Sequence, residues 1–316
     1  MHRRLLVDIR ELTAAQREAI AALARARGFE PRFREPGEAL ADAEVYFGTD
    51  RAILQAAPGL RWMCVPWAGV DWYTGPVAAR GDVILSNSSG AYGVTIAEHV
   101  LMLTLELMRR QPEYQALMGR REWVRDLPVR AIRDSRITLL GTGDLGREIA
   151  RRYRGFAPRC IVGVNRRGSA EPGLFDAVRP LAELDRTLEE TDLLVLCLPG
   201  TPETAGLLSE ARLKLLPDDA FLINVGRGSA IDQAALLRQL RAGRFAGAAL
   251  DVFEREPLPP EDPAWTCPRL LITPHVAGNM TLPYTVERIT ALFLEDFSRY
   301  CDGLPLRRQI DLRRGY

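Results

Sequence analysis

Short aliphatic runs recur along the chain, and several are followed by stretches whose apolar residues repeat every three to four positions. Residues 5–9 are aliphatic apart from Asp8, and 45–47, 62–65 and 83–85 are short, uniformly apolar runs, which predicts buried strands. Between the first two of these, the Ala-rich segment 13–27 predicts a helix capped by Thr13. A long amphipathic helix is predicted over 96–110. A second series starts at Arg136, with a strand to Leu140, a helix from about Asp144 to Arg154, and strands at 160–164, 193–198 and 221–225. A helix over 233–242 and strands at 248–252 and 270–273 complete it. Residues 254–268 are Pro-rich and read as a loop, and 283–300 as a last amphipathic helix. Strands alternating with helices imply parallel sheets joined by right-handed crossovers, so the expected fold class is α/β.

Length divides this series in two. A chain of 316 residues exceeds one ordinary core, and two domains are the natural expectation. With 47% hydrophobic and 26% charged residues the chain is of the folded type. Its net charge of +1 gives no global attraction to nucleic acid or a membrane, so any anion site must be local. The longest apolar stretch, 96–108, is broken by Glu98, His99 and Glu106 and is too short to span a bilayer. The five cysteines are scattered with no C-x-x-C pair, which suits free thiols in a reducing compartment. Residues 1–8 are far short of a signal-peptide core. A cytoplasmic protein without a metal is expected.

The most informative local motif is Gly141-Thr142-Gly143-Asp144-Leu145-Gly146. Three glycines in six residues also occur in ordinary turns. Here, however, they follow an aliphatic strand, open a helical pattern, and precede another strand that ends at Asn165. That is the context of a dinucleotide site: Gly141 for the tight turn, Gly143 for approach of the backbone to the pyrophosphate, Gly146 for packing of helix on strand. The helix N-terminus adds N–H groups for the phosphates. At the end of the second strand, where a carboxylate would select NAD(H), stand Asn165, Arg166 and Arg167. Two guanidiniums suit a 2′-phosphate, so NADP(H) is favoured over NAD(H). The plain alternative is a pair of solvated surface arginines.

Four further segments join this motif: Asn87 to His99, Asn224-Val225-Gly226-Arg227-Gly228-Ser229-Ala230-Ile231-Asp232, Ala249-Leu250-Asp251-Val252-Phe253-Glu254-Arg255-Glu256-Pro257-Leu258, and Thr273-Pro274-His275-Val276-Ala277-Gly278. In this order they resemble the D-isomer-specific 2-hydroxyacid dehydrogenase family, from about Trp62 to the C-terminus. Reducing a 2-keto acid needs a cation for the carboxylate and carbonyl, a proton donor for the developing alkoxide, and a nicotinamide on the opposite face. The resemblance implies these roles for Arg227 as the cation, His275 as general acid/base, and Glu256 as the carboxylate that holds and charges the imidazole. Asp251 resembles the acid that contacts the nicotinamide amide. Leu198, Pro199, Val225 and Gly278 are taken as further cofactor contacts. Pro66-Trp67-Ala68-Gly69-Val70-Asp71 resembles the loop whose amides receive the substrate carboxylate; Trp67 and Tyr92 are candidate pocket walls.

The resemblance further implies a Rossmann cofactor domain over 99–283 and a discontinuous, flavodoxin-like substrate domain over 1–98 plus 284–316, with closure of the cleft during catalysis. It also implies a homodimer, with the helix from Ile96 and the segment to Trp123 as contacts. Each candidate has a plainer reading. The chain has three histidines, and a single one is more often structural; the position of His275 after Thr273-Pro274, with an Arg and a Glu in the two preceding motifs, reverses that. A Gly on each side of Arg227 suggests an open turn against a ligand. Two other functions remain on this scaffold: a cofactor-sensing binding protein of the transcriptional co-repressor kind, and formate dehydrogenase, against which Glu256 beside His275 argues.

Overall fold

The computed structural model describes residues 3–170 and 173–315, so His2 lies outside the described residues. The chain forms two compact units, one running to Tyr92 and resuming at Asn279, the other Gly93–Gly278. The division falls at the start of a helix, whereas the sequence places it within that helix at residue 98. A hydrogen-bonded helical ladder keeps its residues in one unit, so its end is the natural point of division.

The first unit contains β1 (Arg3–Asp8), α1 (Ala14–Ala26), β2 (Phe29–Phe33), β3 (Val45–Gly48), α2 (Ile53–Ala56), β4 (Trp62–Cys64), α3 (Asp71–Arg80) and β5 (Ile84–Ser86). Its strands are all parallel, in the order β2-β1-β3-β4-β5, the flavodoxin-like arrangement. Helix α1 starts at a reciprocal cap: Gln16 N–H donates to Thr13 Oγ1 and Thr13 N–H to Gln16 Oε1. Three elements escape the hydrophobic pattern: β2, the four-residue α2 and α3. Strand β2 lies at the sheet edge, where Pro31 needs no partner on its far side. Helix α3 holds Gly75 and Pro76, and the carbonyl of Trp72 that Pro76 leaves without a helical donor accepts from Arg51 Nη1 at 3.1 Å.

The second unit contains α4 (Gly93–Met108), α5 (Gln111–Gly119), β6 (Arg136–Leu140), α6 (Asp144–Arg154), β7 (Cys160–Asn165), β8 (Ala177–Pro180), α7 (Leu184–Glu189), β9 (Leu193–Leu196), α8 (Glu210–Leu213), β10 (Phe221–Asn224), α9 (Gln233–Arg241), β11 (Gly247–Leu250) and β12 (Leu270–Ile272). Its seven parallel strands run β12-β11-β10-β9-β6-β7-β8, a doubly wound Rossmann order whose direction of winding reverses between β6 and β9. Leu193 through Leu196 are fully buried at its centre, as expected for a strand covered on both faces. Helix α4 begins three residues before Ile96 because Gly93 lets it lie against α6; a Cβ there would meet the side chains of Asp144 and Glu148.

After Gly278 the chain returns to the first unit as α10 (Pro283–Cys301). Phe293 stacks on Phe47 at 4.2 Å between ring centroids, and Phe297 meets Phe29 edge-on at 5.1 Å. Trp62 lies between, fully buried, with its indole N–H bonded to Ser86 Oγ. The buried Asp296 accepts from Arg308 Nε at 2.9 Å and from the backbone N–H of Arg307. Among the described residues no helix is long and apolar enough to cross a membrane.

Candidate active site

The cofactor half of the site follows β6. Gly141 has φ +107°, and a side chain there would meet the carbonyl of Cys197. A Cβ on Gly146 would lie 2.0 Å from the carbonyl oxygen of Gly141, so this helix can pack against its own strand only with glycine. Gly143 faces open space, and no side chain caps α6. Among the described residues the amides of Leu145 and Gly146 donate to no acceptor, and the residues present fit a dinucleotide phosphate. Thr142 and Leu145 flank the turn and are partly exposed, and Asp144 opens the helix.

Asn165 ends β7, and its side chain is used up by its own loop. Its Nδ2 donates to Thr142 Oγ1 at 2.6 Å and to the carbonyl of Ser169, while its Oδ1 accepts from the N–H groups of Arg167 and Gly168. Asn165 thus shapes the turn that presents Arg166 and Arg167, both exposed. The Arg167 guanidinium makes no hydrogen bond or ion pair among the described residues. Leu198 and Pro199 follow β9 and Val225 follows β10, at the same end of the sheet. Val225 is 6% exposed and Gly278 is partly exposed.

Arg227 lies three residues past β10, with Nη1 donating to the carbonyl of Gly226 at 2.9 Å. Its two glycines do not make the open turn that the sequence suggested. Both are buried: a Cβ on Gly226 would meet the backbone of Leu198, and one on Gly228 would lie 1.9 Å from the carbonyl carbon of Phe253. Neighbouring backbone, not a ligand, demands glycine there.

Glu256 and His275 are joined directly. His275 Nδ1 is 2.6 Å from Glu256 Oε2, and Glu256 Oε1 accepts from the N–H of Phe253 at 2.9 Å. The carboxylate is thereby fixed by backbone on one side and by the imidazole on the other. The His275 side chain is 50% exposed. A proton on Nδ1 directed at a carboxylate leaves Nε2 to exchange the second proton, the arrangement of a general acid/base.

Asp251, expected at the nicotinamide, also has a structural task. It is 1% exposed, and both carboxylate oxygens are taken within the second unit: Oδ1 by Thr273 Oγ1 at 2.6 Å and Val276 N–H at 2.9 Å, Oδ2 by Ala277 N–H at 3.0 Å. It organises the loop that carries His275. His99, read from sequence only as a residue beside Glu98, closes this group, with Nε2 3.1 Å from Thr273 Oγ1. The signal for it was present: His99 falls three residues after Ile96, on the apolar stripe of α4 that continues through Val100, Leu103 and Leu107. Burial holds its imidazole below the ordinary histidine range, against the opposing pull of Asp251 and Glu106.

In the first unit, Trp67 lines a cavity of about 540 Å³ with Asp8, Arg34, Thr49 and Asp50. The loop beyond it is held by Ser88 N–H on the carbonyl of Trp67 and Asn87 Nδ2 on that of Ala68. The N–H groups of Ala68, Gly69 and Val70 donate to no acceptor among the described residues. Tyr92 does not wall a pocket. It is 3% exposed and its hydroxyl donates to the carbonyl of Pro66 at 2.8 Å, so it supports the base of that loop; burial pushes its hydroxyl pKa up. Among the described residues no group of His, Cys, Asp and Glu is arranged to hold a metal ion.

The chain is similar to known proteins. The family model described as D-isomer specific 2-hydroxyacid dehydrogenase, NAD binding domain, matches residues 101–277. A glyoxylate/hydroxypyruvate reductase A of Escherichia fergusonii is 36% identical over 257 residues, 79% of this chain and 80% of that protein. Among solved structures, a D-isomer specific 2-hydroxyacid dehydrogenase family protein of Aeromonas salmonicida superposes with a TM-score of 0.86 at 32% identity, covering 99% of this chain and 100% of that one. An NADPH-dependent glyoxylate/hydroxypyruvate reductase of Sinorhizobium meliloti, in complex with NADP and sulfate, gives 0.82 at 30% identity, with the same coverage. The chain belongs to the D-isomer specific 2-hydroxyacid dehydrogenase family and is an NAD(P)-dependent oxidoreductase acting between a 2-keto acid and its 2-hydroxy acid.

Proposed function

We propose that this enzyme is an NADPH-preferring reductase of small 2-keto acids of the glyoxylate and hydroxypyruvate class, giving the D-hydroxy acid. The observation that carries this reading is the 2.6 Å contact between His275 Nδ1 and Glu256 Oε2. Glu256 stabilises the imidazolium and fixes which nitrogen faces it, so Nε2 delivers a proton to the carbonyl oxygen as it becomes an alkoxide. Arg227 pairs with the carboxylate and polarises the carbonyl. In the first unit, read as the substrate domain, the amides of Ala68, Gly69 and Val70 form a receptor for an anion. A nicotinamide cofactor held at Gly141–Gly146 supplies the hydride. Arg166 and Arg167 take the 2′-phosphate, in keeping with the NADP complex of the Sinorhizobium meliloti relative.

The same reading makes the enzyme a cytoplasmic homodimer. Its five cysteines are free, as suits a reducing compartment. Trp123 is 82% exposed, and Met102, Met118 and Val129 are exposed with it, an apolar set that a second copy of the chain would cover. The test is absorbance of NADPH or NADH mixed with glyoxylate, hydroxypyruvate, pyruvate or phenylpyruvate. Faster turnover with NADPH and the smaller acids is expected. Binding of cofactor without turnover of any acid would overturn the reductase in favour of a sensing protein, and a preference for NADH would overturn the cofactor assignment.

A further inference from the structure

His275 has φ +53°, in the left-handed region that a residue with a side chain occupies only when its surroundings dictate it. Here its neighbours dictate it, Asp251 foremost, beside a longer 3.0 Å bond from the His275 N–H to the carbonyl of Thr273. The N–H of His275 donates to the carbonyl of Asp251 at 2.8 Å, and the next two amides, Val276 and Ala277, donate to the Asp251 carboxylate. The aim of the imidazole therefore depends on where that carboxylate sits.

What holds the carboxylate can be worked out from the donors. A carboxylate only accepts, so the 2.6 Å contact with Thr273 uses the single hydroxyl proton of that residue. Thr273 Oγ1 then accepts in its 3.1 Å contact with His99 Nε2. A directed line results, His99 Nε2–H to Thr273 Oγ1–H to Asp251 Oδ1, from helix α4 to the loop after β12. His99 is mostly buried and Asp251 almost wholly so, which shields the line from competing water. The neutral ring favoured by burial is the form this line requires, with its proton on Nε2.

We propose that His99 is a positioning residue of the catalytic centre, acting through Thr273 and Asp251 to fix the backbone at residues 275–277 and so the direction of His275. This rests on the reading of His275 as the proton carrier. A histidine that only fills space between α4 and the sheet would be replaced by leucine without loss of turnover. A positioning histidine needs its donor, which leucine lacks and the Nε2 amide of glutamine retains.

The test compares His99→Leu, His99→Gln, Thr273→Val, Thr273→Ser and the double variant His99→Leu/Thr273→Val in steady-state reduction of glyoxylate by NADPH. His99→Leu and Thr273→Val are each expected to lower kcat about tenfold or more while the KM for NADPH stays nearly constant, because misdirecting a reacting group affects the chemical step. The double variant should lose no more than either alone, since both cut one line. His99→Gln and Thr273→Ser, which keep the donor and the hydroxyl, should recover most of the turnover, and they keep the test open if an apolar variant does not fold. A His99→Leu enzyme with unchanged kcat, or fully additive losses, would overturn the proposal. His275→Ala run alongside separates the two readings. If it abolishes turnover while His99→Leu does not, only the positioning role falls; if it leaves turnover intact, the proton carrier itself is misassigned.

Discussion

Gly228 lies so close to Phe253 that no side chain fits between their backbones: a Cβ on the glycine would lie 1.9 Å from the carbonyl carbon of Phe253. Arg227 precedes that glycine, and the N–H of Phe253 holds Glu256, so Arg227 and the carboxylate partner of His275 share one backbone contact. Gly228→Ala must push the two loops apart. A loss of about 1–3 kcal/mol in stability is expected from such overpacking. Turnover should fall further than the shift in melting temperature accounts for. Thermal unfolding and kcat measured on the same preparation check this, and an alanine variant with normal kcat would show that the contact is not used.

Replacing Glu256 by Gln keeps the shape of the side chain but removes the negative acceptor. A charge-assisted hydrogen bond is worth about 1.5–3 kcal/mol, so kcat/KM for reduction should fall roughly 10- to 100-fold. His275→Ala removes the proton donor itself and should cost about 10²–10⁴-fold. The measurement is initial rate at saturating NADPH, and a Gln variant weaker than the His275→Ala variant would contradict this ranking.

The proposed cofactor preference rests on two exposed guanidiniums, Arg166 and Arg167. If each contributes about 1.5–3 kcal/mol to the 2′-phosphate, removing both should weaken NADPH binding on the order of a hundredfold or more. The double variant Arg166→Ala/Arg167→Ala should bind NADH as the unmodified enzyme does. Fluorescence titration with both cofactors reads this directly. Equal losses for NADH and NADPH would mean that the arginines support the loop and do not read the phosphate.

Arg3, at 2.7 Å, and the hydroxyl of Tyr300 hold the carboxyl of Glu44 below the usual carboxylate range. A folded-state pKa that is depressed contributes stability fully present above the unfolded value of about 4.3 and lost as pH falls through the folded value. The melting temperature of the protein should therefore drop on acidification below about pH 4. In Glu44→Gln that drop should be shallower, with a difference at neutral pH of about 0.2–1 kcal/mol for a partly exposed pair. Parallel acid limbs in the two proteins would mean that Glu44 is not among the groups that sense pH.

The central strands could be read from the sequence because strands covered on both faces are largely apolar, as the Leu-Leu-Val-Leu of 193–196 and the Phe-Leu-Ile of 221–223 are. Edge strands carry no such demand. Phe29–Phe33 and Ala177–Pro180 each contain a proline and show too little apolar character to stand out. The helix Asp71–Arg80 was hidden by Gly75 and Pro76, whose cost is met by an arginine twenty residues away in the chain. In the site, Arg227, Glu256 and His275 stood out because each occupies a local motif. What the motifs could not show is contact between segments distant in sequence. The backbone of Phe253 against Gly228, the carbonyl of Pro66 against Tyr92 and the loop after β12 against Asp251 are all of this kind. These contacts turned an apparent open turn into a packing constraint and a pocket wall into a support, and they gave the expected cofactor ligand Asp251 a second task as organiser of a loop.

The return of the chain as α10 sets an order of assembly. Phe47 and Trp62 belong to the early strands of the first unit, yet the rings that cover them, Phe293 and Phe297, come from the last helix. Every strand of the second unit precedes α10 in the chain and is synthesised before it. A chain ending at Gly278 therefore holds every residue of the inserted unit but not the rings that cover the host sheet, and that sheet is left with an adhesive aromatic face for whatever chaperones attend it.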